Sequence, residues 1–135
     1  MARYLVDKSA LARLHLPPVN ERLGPLIESG DVASCSIVDL ELLYSARKLT
    51  DYEGLLDERR GLPQVELSQS TFDDAITIQH ELAKNGHHRL PIPDLIIASA
   101  ARSADLAVMH YDADFQLIAE ATDLEHQWVV PAGSL

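Results

Sequence analysis

Short apolar stretches alternate with longer amphipathic stretches along the chain. The strand-like stretches are residues 4–7, 32–36, 106–111 and 127–130, with a weaker candidate at 65–67. The helix-like stretches are a short one after Ser9 and then residues 21–29, 37–49, 51–60, 70–84, 94–104 and 115–120. Strands that alternate with helices are typical of a parallel sheet with helices on both faces. The pattern therefore predicts an α/β fold, in which ligands bind at the carboxyl ends of the strands.

Length and composition fit a single folded domain spanning residues 1–135. Apolar residues make up 47% of the chain, as in a folded globular protein. No apolar run approaches the roughly 18 residues that a membrane helix needs, and the N-terminus lacks the apolar core of a secretory signal. Cys35 is the only cysteine, which excludes an intramolecular disulfide. We therefore expect a cytoplasmic protein without a membrane segment.

The chain is strongly acidic. Its net charge is −10, from 21 acidic residues against 11 lysines and arginines. Such a surface repels nucleic acid on average and attracts basic partners. A nucleic-acid enzyme with this charge would need cations in its site.

Five acids occupy positions that this fold brings to one edge of the sheet. Asp7 ends the first strand, and Asp112 and Asp114 follow the strand at 106–111. Asp94 begins a helix, and Glu41 lies in the second turn of another. Because helices run antiparallel to the strands, helix N-termini share an edge with strand C-termini. We expect these acids to gather there, although each alone also suits a helix cap, a turn, a helix N-terminus or an arginine partner.

Asp39 competes with Glu41 for the place in this cluster. With about 100° of rotation per helical residue, Ile37, Leu40 and Tyr44 form one stripe, which we expect to face the core. Glu41 lies beside this stripe, whereas Asp39 points to nearly the opposite side. We therefore predict that Glu41 belongs to the site and that Asp39 is solvated.

Clustered carboxylates suit a hard divalent cation such as Mg²⁺ or Mn²⁺, which prefers oxygen ligands. Such a cation would activate water and stabilise the charge that develops on a phosphate. It would also reconcile an acidic protein with a polyanionic substrate. We expect Ser9 to cap the helix after the first strand and to steady Asp7 or a water molecule of the site. The histidines show no metal-ligand spacing, and His110 is expected in its strand or at the strand's end.

Four segments of the chain resemble motifs of the PIN-domain ribonucleases, specifically the VapC toxins of bacterial toxin–antitoxin pairs. They are YLVDKSAL at 4–11, SIVDLELLYSAR at 36–47, LPIPDLIIASAA at 90–101 and MHYDADF at 109–115. Their order, their spacing and the chain length agree with that family, and the resemblance covers nearly the whole chain. Lys8 departs from the family pattern, because threonine is common at that position.

The resemblance implies a Rossmann-like PIN fold and a Mg²⁺-dependent endoribonuclease in which Mn²⁺ substitutes. Its substrate would be structured RNA, commonly a tRNA or rRNA, whose cleavage stops translation. Its partners would be a second copy in a homodimer and a VapB-type antitoxin in a hetero-oligomer, with an antitoxin segment on the toxin helices and often an arginine near the acids. By position, the implied Mg²⁺ ligands are Asp7, Glu41, Asp94 and Asp112, and the auxiliary residues are Asp114 and Ser9.

Other classes of protein stay open on the residues alone. Another Mg²⁺-dependent phosphoryl-transfer enzyme would also use carboxylates, but an aspartyl phosphatase usually has a second aspartate where this chain has Ser9. An RNase H-like nuclease opens with antiparallel strands, whereas a helix follows the first strand here. A non-catalytic PIN-fold binding module would keep the fold without the chemistry. The complete set of acids weighs against it, because unpaired clustered carboxylates cost stability.

Overall fold

A parallel sheet runs through the centre of the molecule. The structure is a computed structural model that describes residues 1–135. Its strands are β1 (Tyr4–Val6), β2 (Val32–Ala33), β3 (Ala107–His110) and β4 (His126–Trp128). They are ordered β2-β1-β3-β4, and every neighbouring pair is parallel. β1 and β2 are apolar and buried throughout, as expected of short parallel strands covered on both faces.

Helices make the connections between the strands. They are α1 (Lys8–Leu11), α2 (Pro17–Glu28), α3 (Ser36–Tyr44), α4 (Leu49–Arg59), α5 (Gln69–Ala83), α6 (Ile92–Ser103) and α7 (Ala113–Ala121). None of them is long and apolar enough to cross a membrane. The predicted α/β fold is confirmed.

The sheet separates two apolar cores, because successive strand residues point to opposite faces. Leu5 and Val108 belong to a core cluster of 18 buried residues that α5 and α6 cover. Tyr4, Val6 and Met109 point the other way into a cluster of 8 buried residues, which α1 and α2 cover. Helices therefore pack on both faces of the sheet, as the alternating pattern predicts.

The strand order reverses at β1. β2 lies on one side of β1 and β3 on the other, so the chain crosses over between them. The carboxyl ends of β1 and β3 border a crevice, which is where open α/β folds bind ligands. Asp7 directly follows β1, and Asp112 follows β3 after one intervening residue.

The largest differences from the predicted elements are at α2, α3 and residues 65–67. α3 ends at Tyr44, five residues before the predicted end at 49. α2 begins at Pro17, well before the predicted start at residue 21. Proline suits the first turn of a helix, because the N–H that it lacks would have no partner within the helix there. The weak strand candidate at 65–67 is not a strand, and only an isolated bridge joins Ser34 to Gln64 nearby.

The buried face of α3 also differs from the prediction. Leu40 is 61% exposed and Tyr44 is 92% exposed, whereas Val38 and Leu43 are buried. Two of the three residues of the predicted inward stripe therefore face solvent, whereas the third, Ile37, is half-buried against the core. Apolar residues lie on both sides of this helix, so their spacing alone does not identify the face that packs on the sheet.

Candidate active site

Asp7 connects the sheet to the site. It directly follows β1 and is the N-cap of α1, with Oδ2 accepting the Ser9 N–H at 2.9 Å. The side chain is buried, at 3% exposure. Burial raises the pKa of Asp7 and the charge of Asp112 raises it further, against hydrogen bonds from Ser9 that lower it. Asp7 is therefore a buried acid in the field of a second acid.

Ser9 joins the ends of β1 and β3. It lies inside α1 and the cap is Asp7, so the predicted cap role of Ser9 is wrong. Asp7 takes that role because an aspartate at the strand's end can accept the N–H of the helix's first turn. The Ser9 hydroxyl accepts the backbone N–H of Tyr111 at 2.8 Å. This bond holds the segment that leads to Asp112 against α1.

Asp112 and Asp114 stand at the start of α7. Asp112 is the N-cap, and its Oδ1 accepts the Asp114 N–H at 2.9 Å. The cap explanation for this pair therefore holds, but it occupies only one oxygen of Asp112. Asp114 lies in the first turn of the helix. Burial raises the pKa of Asp114, and the charge of Asp112 raises it further.

Asp94 is the most perturbed acid of the site. It lies in the first turn of α6, where Pro91 and Pro93 flank the helix start, and is 6% exposed. Its Oδ2 is buried and has no hydrogen-bond partner. Burial, followed by the charges of Asp7, Asp112 and other neighbouring acids, raises the pKa of Asp94 to about 8. Before a cation binds, Asp94 therefore carries a proton at neutral pH.

Glu41 lies on α3 beside the other acids. Its Oε2 is 3.9 Å from Lys8 Nζ, and its Oε1 is buried without a partner. Burial and then the charge of Asp7 raise the pKa of Glu41, whereas the charge of Lys8 lowers it. Lys8, the departure from the family pattern, therefore points to the acids rather than away from them.

The tightest group of acids is a triad. One oxygen from each of Asp94, Asp112 and Asp114 lies within 4.8 Å of the others. Asp7 and Glu41 lie outside this triad, but their charges raise the pKa of Asp94. The structure thus brings all five predicted acids to one edge. Asp114, predicted as an auxiliary residue, lies in the tightest group of acids, together with Asp94 and Asp112.

Asp39 is not solvated, which corrects the prediction. It is buried at 3% exposure. Its Oδ1 accepts the Ser34 hydroxyl at 2.7 Å, and its Oδ2 accepts Arg59 Nε at 2.6 Å in an ion pair. Arg59 comes from α4, 20 residues along the chain, so helix periodicity gave no sign of it. Both oxygens are used inside the protein, and Asp39 is not available to the site.

These residues suit a hard divalent cation. The donors are carboxylate oxygens, and two of them, Asp94 Oδ2 and Glu41 Oε1, are buried without partners. Buried charges need a counter-charge or a metal. Lys8 Nζ, at 3.9 Å from Glu41 Oε2, pairs with Glu41. Oxygen-only donors match Mg²⁺ or Mn²⁺ rather than a soft metal.

His110 is a residue of the site that sequence reasoning left without a role. It ends β3, as expected, and is fully buried. Its Nδ1 accepts the Asp112 N–H at 3.1 Å, and its Nε2 lies 2.9 Å from Nδ1 of His126. Burial, and then the charge of His126, lower the pKa of His110 to about 4. The proximity of His110 to Asp112 in sequence was a signal, whereas the contact with His126 was not visible.

Comparison with known proteins identifies the family. The family model described as PIN domain matches residues 4–121. The chain is 46% identical to Ribonuclease VapC21 of Mycobacterium tuberculosis over 134 residues, which are 98% of this chain and 97% of the relative. It is 42% identical to Ribonuclease VapC51 of that organism over 133 residues, again 98% of this chain and 97% of the relative.

Solved structures share the fold at low sequence identity. VapBC2 from Rickettsia felis, bound to a DNA fragment from its promoter, aligns with a TM-score of 0.77 at 21% identity over 93% of this chain and 98% of that chain. DNA-bound VapBC from Salmonella typhimurium aligns with a TM-score of 0.76 at 19% identity over 96% of this chain and all (100%) of that chain. The match to the family model, and the 42% and 46% identity to the two relatives over nearly the full length, agree with this fold. The chain therefore belongs to the PIN-domain family and, within it, to the VapC ribonucleases of VapBC toxin–antitoxin systems.

Proposed function

We propose that this chain is a Mg²⁺-dependent endoribonuclease toxin that cleaves structured RNA, a tRNA or an rRNA, and thereby inhibits translation. The observation that carries the metal dependence is the pair of buried carboxylate oxygens without partners, Asp94 Oδ2 and Glu41 Oε1. Buried carboxylate oxygens without partners at a ligand-binding edge cost stability unless a cation binds them. Membership of a ribonuclease family supports RNA as the substrate.

We propose that the cation is held by carboxylates from four different elements of the fold. When bound, Mg²⁺ would supply an activated water and positive charge for the phosphate. Asp114 would assist, because it belongs to the same triad as Asp94 and Asp112. Ser9 would act indirectly, by holding the segment before Asp112 in place. The proposed ligands are Asp7, Glu41, Asp94 and Asp112.

The side chains around the site have separate tasks in this proposal. The carboxyl group of Asp94, whose pKa is raised to about 8, must lose its proton before it can act as a ligand. The Lys8 side chain is 44% exposed, and its Nζ, beside Glu41, would contact an RNA phosphate. The Ser9–Tyr111 bond keeps the carboxyl ends of β1 and β3 in register. In this proposal the acidic crevice binds the polyanionic RNA only when a divalent cation neutralises the carboxylates.

RNA cleavage by the purified protein tests this proposal. Total cellular RNA is incubated with Mg²⁺, with Mn²⁺ and with EDTA, and the fragments are sequenced at their ends. We expect discrete metal-dependent cuts that disappear in Asp7→Asn. The matched control is Asp51→Asn, at an exposed acid on α4, which should cleave normally. Cleavage in EDTA, or by Asp7→Asn, would contradict the metal mechanism.

A non-catalytic binding module is the alternative outcome of the same experiment. Such a protein would cut no RNA, and calorimetric titration would find no Mn²⁺ binding. Mn²⁺ binding without cleavage would instead indicate a narrow substrate, to be sought among separately transcribed tRNAs and rRNAs.

We propose that a VapB-type antitoxin docks on the helical side of the molecule, as the VapBC complexes among the structural neighbours support. An apolar groove of about 250 Å³ lies between helices α1 to α4. An amphipathic segment could fill it, and basic residues of that segment would suit the acidic surface. The apolar residues that line the groove are Leu11, Leu14, Ile27, Leu42, Leu55 and Leu62.

Disruption of the groove tests the antitoxin proposal. Leu55→Glu introduces a charge into the groove and should abolish the complex with a co-produced VapB-type antitoxin. Leu49→Glu is the matched control, because Leu49 is 69% exposed on the same helix and does not line the groove. Equal antitoxin binding by both variants would contradict docking at this place.

We also propose a homodimer, formed through the apolar face that α5 and α6 leave exposed. Ile76 and Ile92 are each 64% exposed there, beside Phe72 at 39%. Exposed apolar patches of this kind commonly mark protein contacts. Ile76→Glu should convert a dimer to a monomer in sedimentation, whereas Leu40→Glu on α3 should not. A cytoplasmic location stays a prediction, consistent with a cellular RNA substrate.

A further inference from the structure

His110 and His126 form a chain of hydrogen bonds that ends on the backbone of Asp112. The Asp112 N–H donates to His110 Nδ1 at 3.1 Å. His110 Nε2 in turn lies 2.9 Å from His126 Nδ1. His126 stands on β4, the edge strand, so the chain of bonds runs from the sheet's edge to the start of α7.

The donors along this chain have only one consistent arrangement. A backbone N–H can only donate, so His110 Nδ1 must offer a lone pair. The proton of the neutral His110 ring is then on Nε2, which donates to His126 Nδ1. His126 must accept at Nδ1 and carry its own proton on Nε2. One contact at each ring therefore sets the tautomer of both.

Aromatic neighbours hold the His110 ring in this orientation. Phe115, in the first turns of α7, lies 5.1 Å from it between ring centroids, and Trp128 lies 4.9 Å from it. The ring has no exposed surface and cannot rotate without displacing them. The acceptor for the Asp112 N–H is thus a side chain fixed in the core.

We propose that His110 and His126 are a positioning pair for Asp112: His126 accepts the His110 Nε2 proton and so holds the His110 tautomer, and His110 anchors the Asp112 backbone so that its carboxylate faces the site. The inference rests on the proposed function, in which Asp112 is a ligand. Asp112 is then held at two points, since its N–H binds His110 and its Oδ1 caps α7 through the Asp114 N–H. Its second oxygen is left for the cation. Partners that orient metal ligands in this way commonly contribute about 10–100-fold in metal affinity.

Nitrogen NMR of the metal-free, unaltered protein tests the geometry directly. Long-range ¹⁵N–¹H spectra should show His110 protonated on Nε2 alone. A scalar coupling across the N–H···N bond should connect the Asp112 amide to His110 Nδ1. A proton on His110 Nδ1 would overturn the inference, and this measurement requires no variant to fold.

A pair of His126 variants tests the consequence for the site. In His126→Asn, Oδ1 replaces the Nδ1 acceptor, whereas His126→Leu removes the acceptor at similar volume. Calorimetric Mn²⁺ titration should give an affinity about tenfold weaker for His126→Leu and close to the unaltered value for His126→Asn. His88→Leu, in an exposed loop, is the control for loss of a histidine. Thermal unfolding without metal checks that all variants are folded.

The outcomes separate this inference from the proposed function. Equal Mn²⁺ affinity of His126→Leu and the unaltered protein would overturn the positioning role alone. Equal weakening in His126→Asn and His126→Leu would also overturn it, because the acceptor would then be irrelevant. Failure of the unaltered protein to bind Mn²⁺ would overturn the proposed function together with the inference.

Discussion

Asp39 and Asp94 are buried to nearly the same extent in opposite surroundings. Asp39 is 3% exposed and Asp94 is 6% exposed. Asp39 accepts hydrogen bonds from Ser34 and Arg59 with its two oxygens. Asp94 leaves Oδ2 without any partner. Similar burial therefore accompanies an ion pair at Asp39, where both oxygens have partners, and a carboxyl group with an unpaired oxygen at Asp94.

The difference separates an acid that is neutralised within the chain from one that is a candidate ligand. Asp39 links α3 to α4 through Arg59, and its charge is neutralised inside the chain. Asp94 stands among acids whose charges oppose its ionisation and raise its pKa to about 8. Burial by itself is thus a poor guide to function. Burial without a partner, at the ligand-binding edge of the sheet, is the informative feature.

Replacement of Asp94 should have the largest effect. Asp94→Asn removes a proposed ligand, so RNA cleavage should fall by about 100-fold or more. The same variant should be more stable than the unaltered protein without metal, by roughly 1–3 kcal/mol at pH 8. The measurements are cleavage rates with Mg²⁺ and denaturant unfolding in EDTA. A destabilised Asp94→Asn protein at pH 8 would indicate a protein partner for this carboxylate.

The pH dependence of that gain follows from the direction of the pKa shift. The pKa of Asp94 is raised from 3.8 to about 8 in the folded protein. The stability that its proton contributes is therefore fully present below about pH 4 and is lost as the pH rises through about 8. The advantage of Asp94→Asn in EDTA should grow from pH 5 to pH 8. An advantage independent of pH would contradict this account.

Removal of the partner of Asp39 should cost stability and spare the chemistry. Arg59→Met leaves a buried carboxylate with only Ser34, so the free energy of unfolding should fall by about 2–4 kcal/mol. Asp39→Asn should cost less, about 1–3 kcal/mol, because Arg59 is 33% exposed and water can solvate it. Urea unfolding measures both. Cleavage per folded molecule should stay normal, and its loss in Asp39→Asn would move Asp39 into the site.

Proton release on metal binding should be the next largest effect. Because Asp94 holds a proton below a pKa of about 8, Mn²⁺ binding at pH 7 should release close to one proton. The apparent affinity should rise about tenfold from pH 6 to pH 7 and level off above about pH 8. Calorimetry in buffers of different ionisation enthalpy measures the release. Binding without proton release would show that Asp94 is already ionised or is not a ligand.

Replacement of Lys8 should give the smallest effect. Lys8→Met removes the ammonium group that lies 3.9 Å from Glu41 and competes with a divalent cation. At pH 8.5 and low salt we expect Mn²⁺ binding about 2–3-fold tighter, a small factor because the lysine is partly exposed and screened. Titrations at low and high ionic strength measure it. Weaker Mn²⁺ binding would show that Lys8 supports the site instead.

The element order and the edge on which the acids lie could be predicted from the sequence. Short apolar runs followed by helices specify a parallel sheet, and in such a sheet the residues after each strand share an edge with helix N-termini. Asp7, Asp94 and Asp112 follow from that rule without any knowledge of packing. Glu41 lies close enough to Asp7 for the charge of Asp7 to raise its pKa, although Leu40 and Tyr44 of the predicted inward stripe face solvent. Its role as a ligand stays a prediction.

Contacts between residues distant in the chain were decided only by the tertiary structure. Arg59 reaches Asp39 from α4, Ser9 binds the Tyr111 N–H, and His126 meets His110 across adjacent strands. Periodicity describes one helix or strand at a time, whereas these bonds depend on how two elements pack. The sequence by itself determined the fold class and the edge that carries the acids. Packing decided which buried acids have a partner, because a charge inside a protein is governed by the groups that surround it in space.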